Sequence, residues 1–75
     1  MKEQEFFIKL GRRIKKLRQK KGLRQEDMED FGIAYKYYQR IESPGKRPAN
    51  ITMKTLLKIA GAFEVEPYQL FLFDK

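Results

Sequence analysis

Apolar residues in this sequence return every three or four positions wherever they form a pattern, and no stretch alternates as a half-buried strand would. Phe7, Leu10, Ile14 and Leu17 make one stripe of a helix from about Glu5 to Lys20, which Gly22 ends as a C-terminal cap. A second, short helix fits Gln25 to Phe31. There Gln25, Glu26 and Asp27 suit the positive end of the helix dipole, Met28 and Phe31 are expected to face inward, and Gly32 closes the element. A third fits Ala34 to Glu42, with Ala34, Tyr38 and Ile41 on one face and Tyr35, Lys36, Gln39 and Arg40 on the other. The breaker cluster Ser43-Pro44-Gly45-Lys46-Arg47-Pro48 then reads as an exposed basic loop. Thr52 is a good N-cap for a fourth helix through Phe63. Its apolar sector of Met53, Leu56, Leu57, Ile59, Ala60 and Phe63 is wide enough for a central packing element. After Glu64-Val65-Glu66, Pro67 opens a short fifth helix through about Leu72. The pattern predicts an all-α, compact five-helix bundle in one domain over 1–75, with helices at about 5–20, 25–31, 34–42, 52–63 and 67–72.

At 75 residues the chain has no room for a second, ligand-sensing domain, so neither a cofactor nor a small-molecule ligand is expected. With no cysteine it has neither disulfides nor thiolate metal sites, and its stability must come from packing or dimerisation. No stretch approaches the roughly 20 apolar residues of a membrane span, and Met1 to Glu5 lack a signal peptide's order, so the expected location is cytoplasmic. Catalysis is not expected either: histidine and cysteine are absent, no glycine-rich phosphate loop occurs, and no carboxylate pair falls outside plausible caps and ion pairs. The net charge of +7 instead favours a polyanionic partner. Its cations crowd the segment from Lys9 to Arg24, where they read as a solvated helix face that steers over distance, with no single contact assigned.

A helix, a turn containing Gly32 and a third helix with a polar, aromatic outer face form the arrangement that sets the later helix into a major groove. The segments Gly22-Leu23-Arg24-Gln25-Glu26-Asp27-Met28, Gly32-Ile33, Tyr37-Tyr38-Gln39-Arg40-Ile41-Glu42 and Thr55-Leu56-Leu57-Lys58-Ile59-Ala60 resemble the phage-repressor-like helix-turn-helix family, the Cro/C1 or XRE type. The likeness runs from about Leu10 to Phe71. It implies a lambda-repressor-like domain and a transcriptional regulator of double-stranded DNA. It further implies that Tyr35, Lys36 and Arg40 reach base edges, flanked by Tyr37 and Gln39 at phosphates. Gln25 would contact a phosphate, as would Lys46 and Arg47 in the loop. Arg18 and Glu42 match an ion pair tying the first helix to the recognition helix.

Lys36 and Arg40, four apart, leave one helix face together. Arg40 is the stronger base reader, because its planar fork matches the two acceptors of guanine, a contact worth about 1–3 kcal/mol of discrimination. Lys36 fits either guanine or a phosphate, and Tyr35 either a thymine methyl or a polar contact through its hydroxyl. Tyr37 either packs on the loop or touches DNA, and Tyr38, sharing a face with Ile41, belongs to the core.

Three features depart from the family. Gln25 to Gly32 is one residue shorter than usual, so the second helix or its turn must be shortened. Glu29 stands where the family has a packed alanine. Arg24 and Ala34 replace cap residues, which leaves N–H groups for DNA phosphates to satisfy.

Readers of this kind usually bind two half-sites roughly 34 Å apart as a two-fold dimer. The run Tyr68, Leu70, Phe71, Leu72 and Phe73 holds more apolar surface than one short helix buries, which places a homodimer seam at Leu70, Phe71 and Phe73. The competing reading is a protein-interaction module or antitoxin-like adaptor with little DNA reading. Steep salt dependence of duplex binding separates the two.

Overall fold

The computed structural model describes residues 1–73; Asp74 and Lys75, the end of the domain expected over 1–75, lie outside the described residues. The chain is all-helical: α1 (Glu3–Lys21), a first 3-10 helix (Gln25–Phe31), α2 (Tyr35–Glu42), α3 (Met53–Phe63) and a second 3-10 helix (Pro67–Phe71). Among the described residues no helix is long and apolar enough to cross a membrane.

Acids in the first turn of α1, Glu3 and Glu5, and bases in its last, Arg18, Lys20 and Lys21, complement the helix dipole at both ends. Three elements then stop in the same way. At Gly22, Gly32 and Glu64 the backbone turns left-handed. Paired N–H bonds from that residue and the next return to Gln19 and Arg18, to Glu29 and Met28, and to Gly61 and Ala60. The residue after each turn, Leu23, Ile33 or Val65, folds back as a half-buried or buried apolar contact. These closures keep the connections short.

The expected second α-helix is wound as a 3-10 helix of 7 residues, which accounts for the missing residue. Seven residues at three per turn describe about 2.3 turns, and eight at 3.6 per turn about 2.2, so tighter winding delivers the chain to Gly32 in nearly the same orientation. Three residues per turn also stack side chains in columns. Gln25, Met28 and Phe31 share the inner column, while Glu29 joins Glu26 outside and both are exposed. Phe31, expected inward, is 40% exposed because it ends its column, whereas Met28 in the middle is fully buried.

The core gathers Leu10, Ile14 and Leu17 from α1, Met28, Tyr38 and Ile41 from the helix-turn-helix, Ile59 and Phe63 from α3, and Leu70. Each fully buried large side chain contributes about 1.5–3 kcal/mol of transfer free energy. Gly11 sets the crossing of α1 and α2, since a Cβ there would stand 2.6 Å from the Ile41 carbonyl oxygen and 2.7 Å from that of Glu42.

The sector expected to bury α3 was too wide. Its neighbours, the two 3-10 helices and α1, cover only one half of the helix, where Leu56, Ile59, Ala60, Ala62 and Phe63 lie. Met53 and Leu57 fall on the other half and are 69% and 56% exposed. Ala34, expected on the inner face of the recognition helix, is the exposed residue ahead of its first turn.

Candidate nucleic-acid interface

On α2, at 100° per residue, Tyr35, Gln39, Lys36 and Arg40 fill one sector of about 140°, and Tyr37, Ile41, Tyr38 and Glu42 fill the rest. Tyr38 and Ile41 anchor the helix with 0% and 1% exposure. Lys36 and Arg40 are exposed, while Tyr35 and Gln39 are half-buried and joined through the Gln39 amide, which donates to the Tyr35 hydroxyl at 2.9 Å. That bond fixes the Tyr35 ring on the outer face and leaves its own hydroxyl hydrogen available to an acceptor.

Glu42, the last residue of α2, is clamped from two directions. Arg18 of α1 donates from Nε to Oε2 at 2.6 Å and from Nη2 to Oε1 at 3.2 Å, and its Nη1 donates to the Leu23 carbonyl at 2.8 Å. The fork-to-fork geometry raises the Arg18 pKa above its ordinary value, first through the hydrogen bond to Glu42. Gln25 also donates its amide to Glu42 Oε1, at 3.0 Å, so the start of the first 3-10 helix and the end of the recognition helix share one carboxylate. One N–H of Gln25 is therefore engaged inside the fold, and the second remains for a phosphate. Beside this cluster the Tyr38 hydroxyl is sealed with no hydrogen-bond partner, and burial pushes its pKa up.

At the opening of the first 3-10 helix Asp27 reaches back to Arg24, whose own side chain makes no cap bond. Its Oδ2 accepts from the Arg24 backbone N–H at 2.7 Å, and this bond holds the Asp27 carboxyl below its ordinary pKa. The N–H so engaged is that of Arg24, ahead of the helix, and not one of the Gln25 to Asp27 N–H groups that the missing cap oxygen leaves.

The loop between α2 and α3 is held by three side chains that donate to its carbonyls. Gln4 reaches Gly45 at 3.3 Å, Arg40 Nη2 reaches Arg47 at 3.4 Å, and the Tyr37 hydroxyl reaches Asn50 at 2.7 Å. Lys46 and Arg47 are exposed on this loop, next to the outer sector of α2. Tyr37, expected at a phosphate, has spent its one hydroxyl hydrogen on Asn50 and works as a strut between α2, the loop and Thr55. Across the turn Lys58 Nζ donates to the Gly32 carbonyl at 3.3 Å.

The sequence reading missed Gln4, Gly11 and Lys58. A glycine inside an amphipathic helix was the one available signal, pointing to close backbone approach at position 11.

Of the residues assigned to a seam, Leu70 is fully buried within its own chain and offers no surface to a partner. Phe71 is 39% exposed and stacks on Phe6 at 6.2 Å between ring centroids. Phe73, half-buried, meets Phe6 edge-on at 5.5 Å. Apart from the terminal Met1, the more exposed apolar groups are Met53 and Leu57 on α3 and Tyr68 and Leu72 around the second 3-10 helix.

Comparison with known proteins identifies a family and a similar solved structure. Residues 14–70 match the family model described as helix-turn-helix. The fold is similar to the crystal structure of the restriction-modification controller protein C.AhdI from Aeromonas hydrophila. The TM-score is 0.77 and the identity 33%, over 87% of this chain and 96% of that one. No curated protein sequence matches.

Proposed function

The chain belongs to the helix-turn-helix family of DNA-binding transcriptional regulators, and from that premise we propose that it reads a two-fold operator as a homodimer, with α2 in the major groove. The observation that carries this reading is the outer sector of α2, with Lys36, Arg40 and Tyr35 on one face of a helix rooted by Tyr38 and Ile41. In this reading Arg40 takes guanine O6 and N7. Lys36 takes a neighbouring guanine or a phosphate, and Tyr35 a thymine methyl or a polar group. Gln39 orients Tyr35, and Gln25, Lys46 and Arg47 contact phosphates on either side of the groove. The protein acts by occupancy, blocking or recruiting polymerase, and not by catalysis. Its likeness to a restriction-modification controller supports a regulatory role of that kind.

The homodimer seam in this reading is the exposed apolar surface of Met53, Leu57, Phe71 and Leu72, with Phe73 at its margin. A Leu57→Asp variant should scatter light as a monomer where the parent is a dimer.

Selection of bound duplexes from a random pool tests the readout. The parent should enrich a two-fold motif with half-sites about one duplex turn apart. Arg40→Ala should relax preference at one base pair per half-site, whereas Lys46→Ala should weaken all sequences alike and reduce the salt slope by about one charge. A flat pool, or identical profiles for the two variants, refutes the assignment.

A further inference from the structure

Lys36 and Arg40, the exposed cations in the outer sector of α2, carry hydrogen-bond donors and no acceptor. They match the two acceptors of guanine or a phosphate, and neither can take a hydrogen from the amino group of adenine or cytosine. Gln39 supplies the missing function. Among the described residues its side chain makes one hydrogen bond, from Nε2 to the Tyr35 hydroxyl at 2.9 Å. The second Nε2 hydrogen and the Oε1 lone pairs are left over, which gives the outer sector a donor and an acceptor side by side.

The helix places this amide among the base readers. At 100° per residue Gln39 lies about 40° from Tyr35 and about 60° from Lys36, within the arc that these two bound. Any docking that carries Tyr35 and Lys36 to base edges carries Gln39 with them. The same bracketing argues against the phosphate contact that the family likeness implied for Gln39. Tyr35 is half-buried and turns about only two side-chain torsions, so its hydroxyl is a stiff point of attachment for the longer and looser glutamine.

We propose that Gln39 reads adenine in the major groove, with Oε1 accepting from N6 and Nε2 donating to N7, and that Tyr35 is the positioning residue that holds the amide for it; this assignment rests on the placement of α2 in the groove. Adenine alone shows an acceptor beside a donor there, whereas guanine shows two acceptors, cytosine a donor, and thymine an acceptor beside a methyl. Once the duplex excludes the water that satisfies the free amide, any base but adenine leaves one half of it unpaired. Because the amide is already tied down, less side-chain freedom is lost on binding. The outer sector then reads both kinds of purine, adenine through Gln39 and guanine through Arg40.

Selection from random duplexes, run with the parent and its variants, tests the assignment. The parent should enrich adenine at one base pair per half-site, apart from the position that Arg40→Ala relaxes. Gln39→Ala should lower that preference about 5- to 150-fold, and Tyr35→Phe about 2- to 10-fold at the same base pair. Gln39→Glu, which accepts but does not donate, should shift the preference to cytosine. In the selected duplex, 7-deazaadenine at that position lacks the N7 acceptor; it should weaken the parent and leave Gln39→Ala unchanged. A motif that Arg40→Ala alters and the Gln39 variants leave intact overturns the adenine assignment alone, as does equal weakening of parent and Gln39→Ala by 7-deazaadenine. A Tyr35→Phe profile identical to the parent's overturns the positioning role. A flat parental pool overturns the placement of α2 and the assignment together.

Discussion

Gly11 and Gly61 both lie inside helices, α1 and α3, and the same replacement by alanine should move stability in opposite directions. Alanine in a helix interior is favoured over glycine by about 1 kcal/mol. At Gly61 nothing lies within 4 Å of an added Cβ, so that gain is realised in full. For a domain of this size 1 kcal/mol corresponds to about 4–8 °C, and Gly61→Ala should melt that much higher. At Gly11 the new Cβ would stand 2.6 and 2.7 Å from the Ile41 and Glu42 carbonyl oxygens, so α1 and α2 must part by about 0.8 Å to restore ordinary contact. Both obstacles are backbone, and Glu42 is clamped to Arg18, so the neighbour cannot turn aside. Overpacking of this kind costs up to about 3 kcal/mol. Set against the helical gain, the net loss is about 2 kcal/mol, or a fall of about 8–16 °C. Thermal and urea unfolding followed by circular dichroism reads both variants. A series of protein concentrations identifies any contribution from a dimer seam near Gly61, because only that contribution depends on concentration. A Gly11→Ala protein as stable as the parent would refute the argument that this crossing is set by backbone contact.

Three further perturbations probe the buried cluster and the start of the helix-turn-helix. Arg18→Met strands the Glu42 carboxylate, whose side chain is 1% exposed, and should cost about 3–5 kcal/mol in urea unfolding; adding Glu42→Leu should restore most of it. Tyr38→Phe deletes a sealed hydroxyl that has no partner, so its unfolding midpoint should match or exceed the parent's, and a loss above about 1 kcal/mol would reveal a hydrogen bond there. Asp27 has a lowered native pKa, so its contribution is complete above the ordinary value of 3.8 and fades as pH falls through the native one. The stability gap between the parent and Asp27→Asn should accordingly be open at neutral pH and close on acidification, and a gap that widened in acid would contradict the bond to Arg24.

The helices were legible because a stripe such as Phe7, Leu10, Ile14 and Leu17 admits one period, and the stops were legible because Gly22 and Gly32 take left-handed turns at no steric cost. Winding was not legible between Gln25 and Phe31, since Met28 and Phe31 are three apart and share a face in either helix type. The missing residue signalled that something had to tighten without saying what. Burial on α3 failed for another reason. The sequence counts apolar residues but does not say which half of a helix has neighbours, and Met53 and Leu57 fell on the bare half. Tyr37 was undecided because its partner is a backbone carbonyl, Asn50, and no side-chain pattern announces a carbonyl.

The three bonds to loop carbonyls change how the interface must be read. Gln4, Tyr37 and Arg40 come from different elements, yet each donates to the backbone that carries Lys46 and Arg47. The loop therefore does not drift beside the recognition helix as a charged tether; it is set in register with it, and in the proposed reading its cations would meet a duplex without first losing the freedom of a loose segment. Arg40 occupies both sides of this arrangement. Its Nη2 holds the Arg47 carbonyl at a long 3.4 Å, while its fork sits in the outer sector with Lys36. Each Nη carries two hydrogens, so Nη2 can hold the Arg47 carbonyl through one while the fork keeps donors for the two acceptors of a guanine. One side chain thereby joins the outer sector of α2 to the backbone of the loop that carries Lys46 and Arg47, so the two are held in one arrangement.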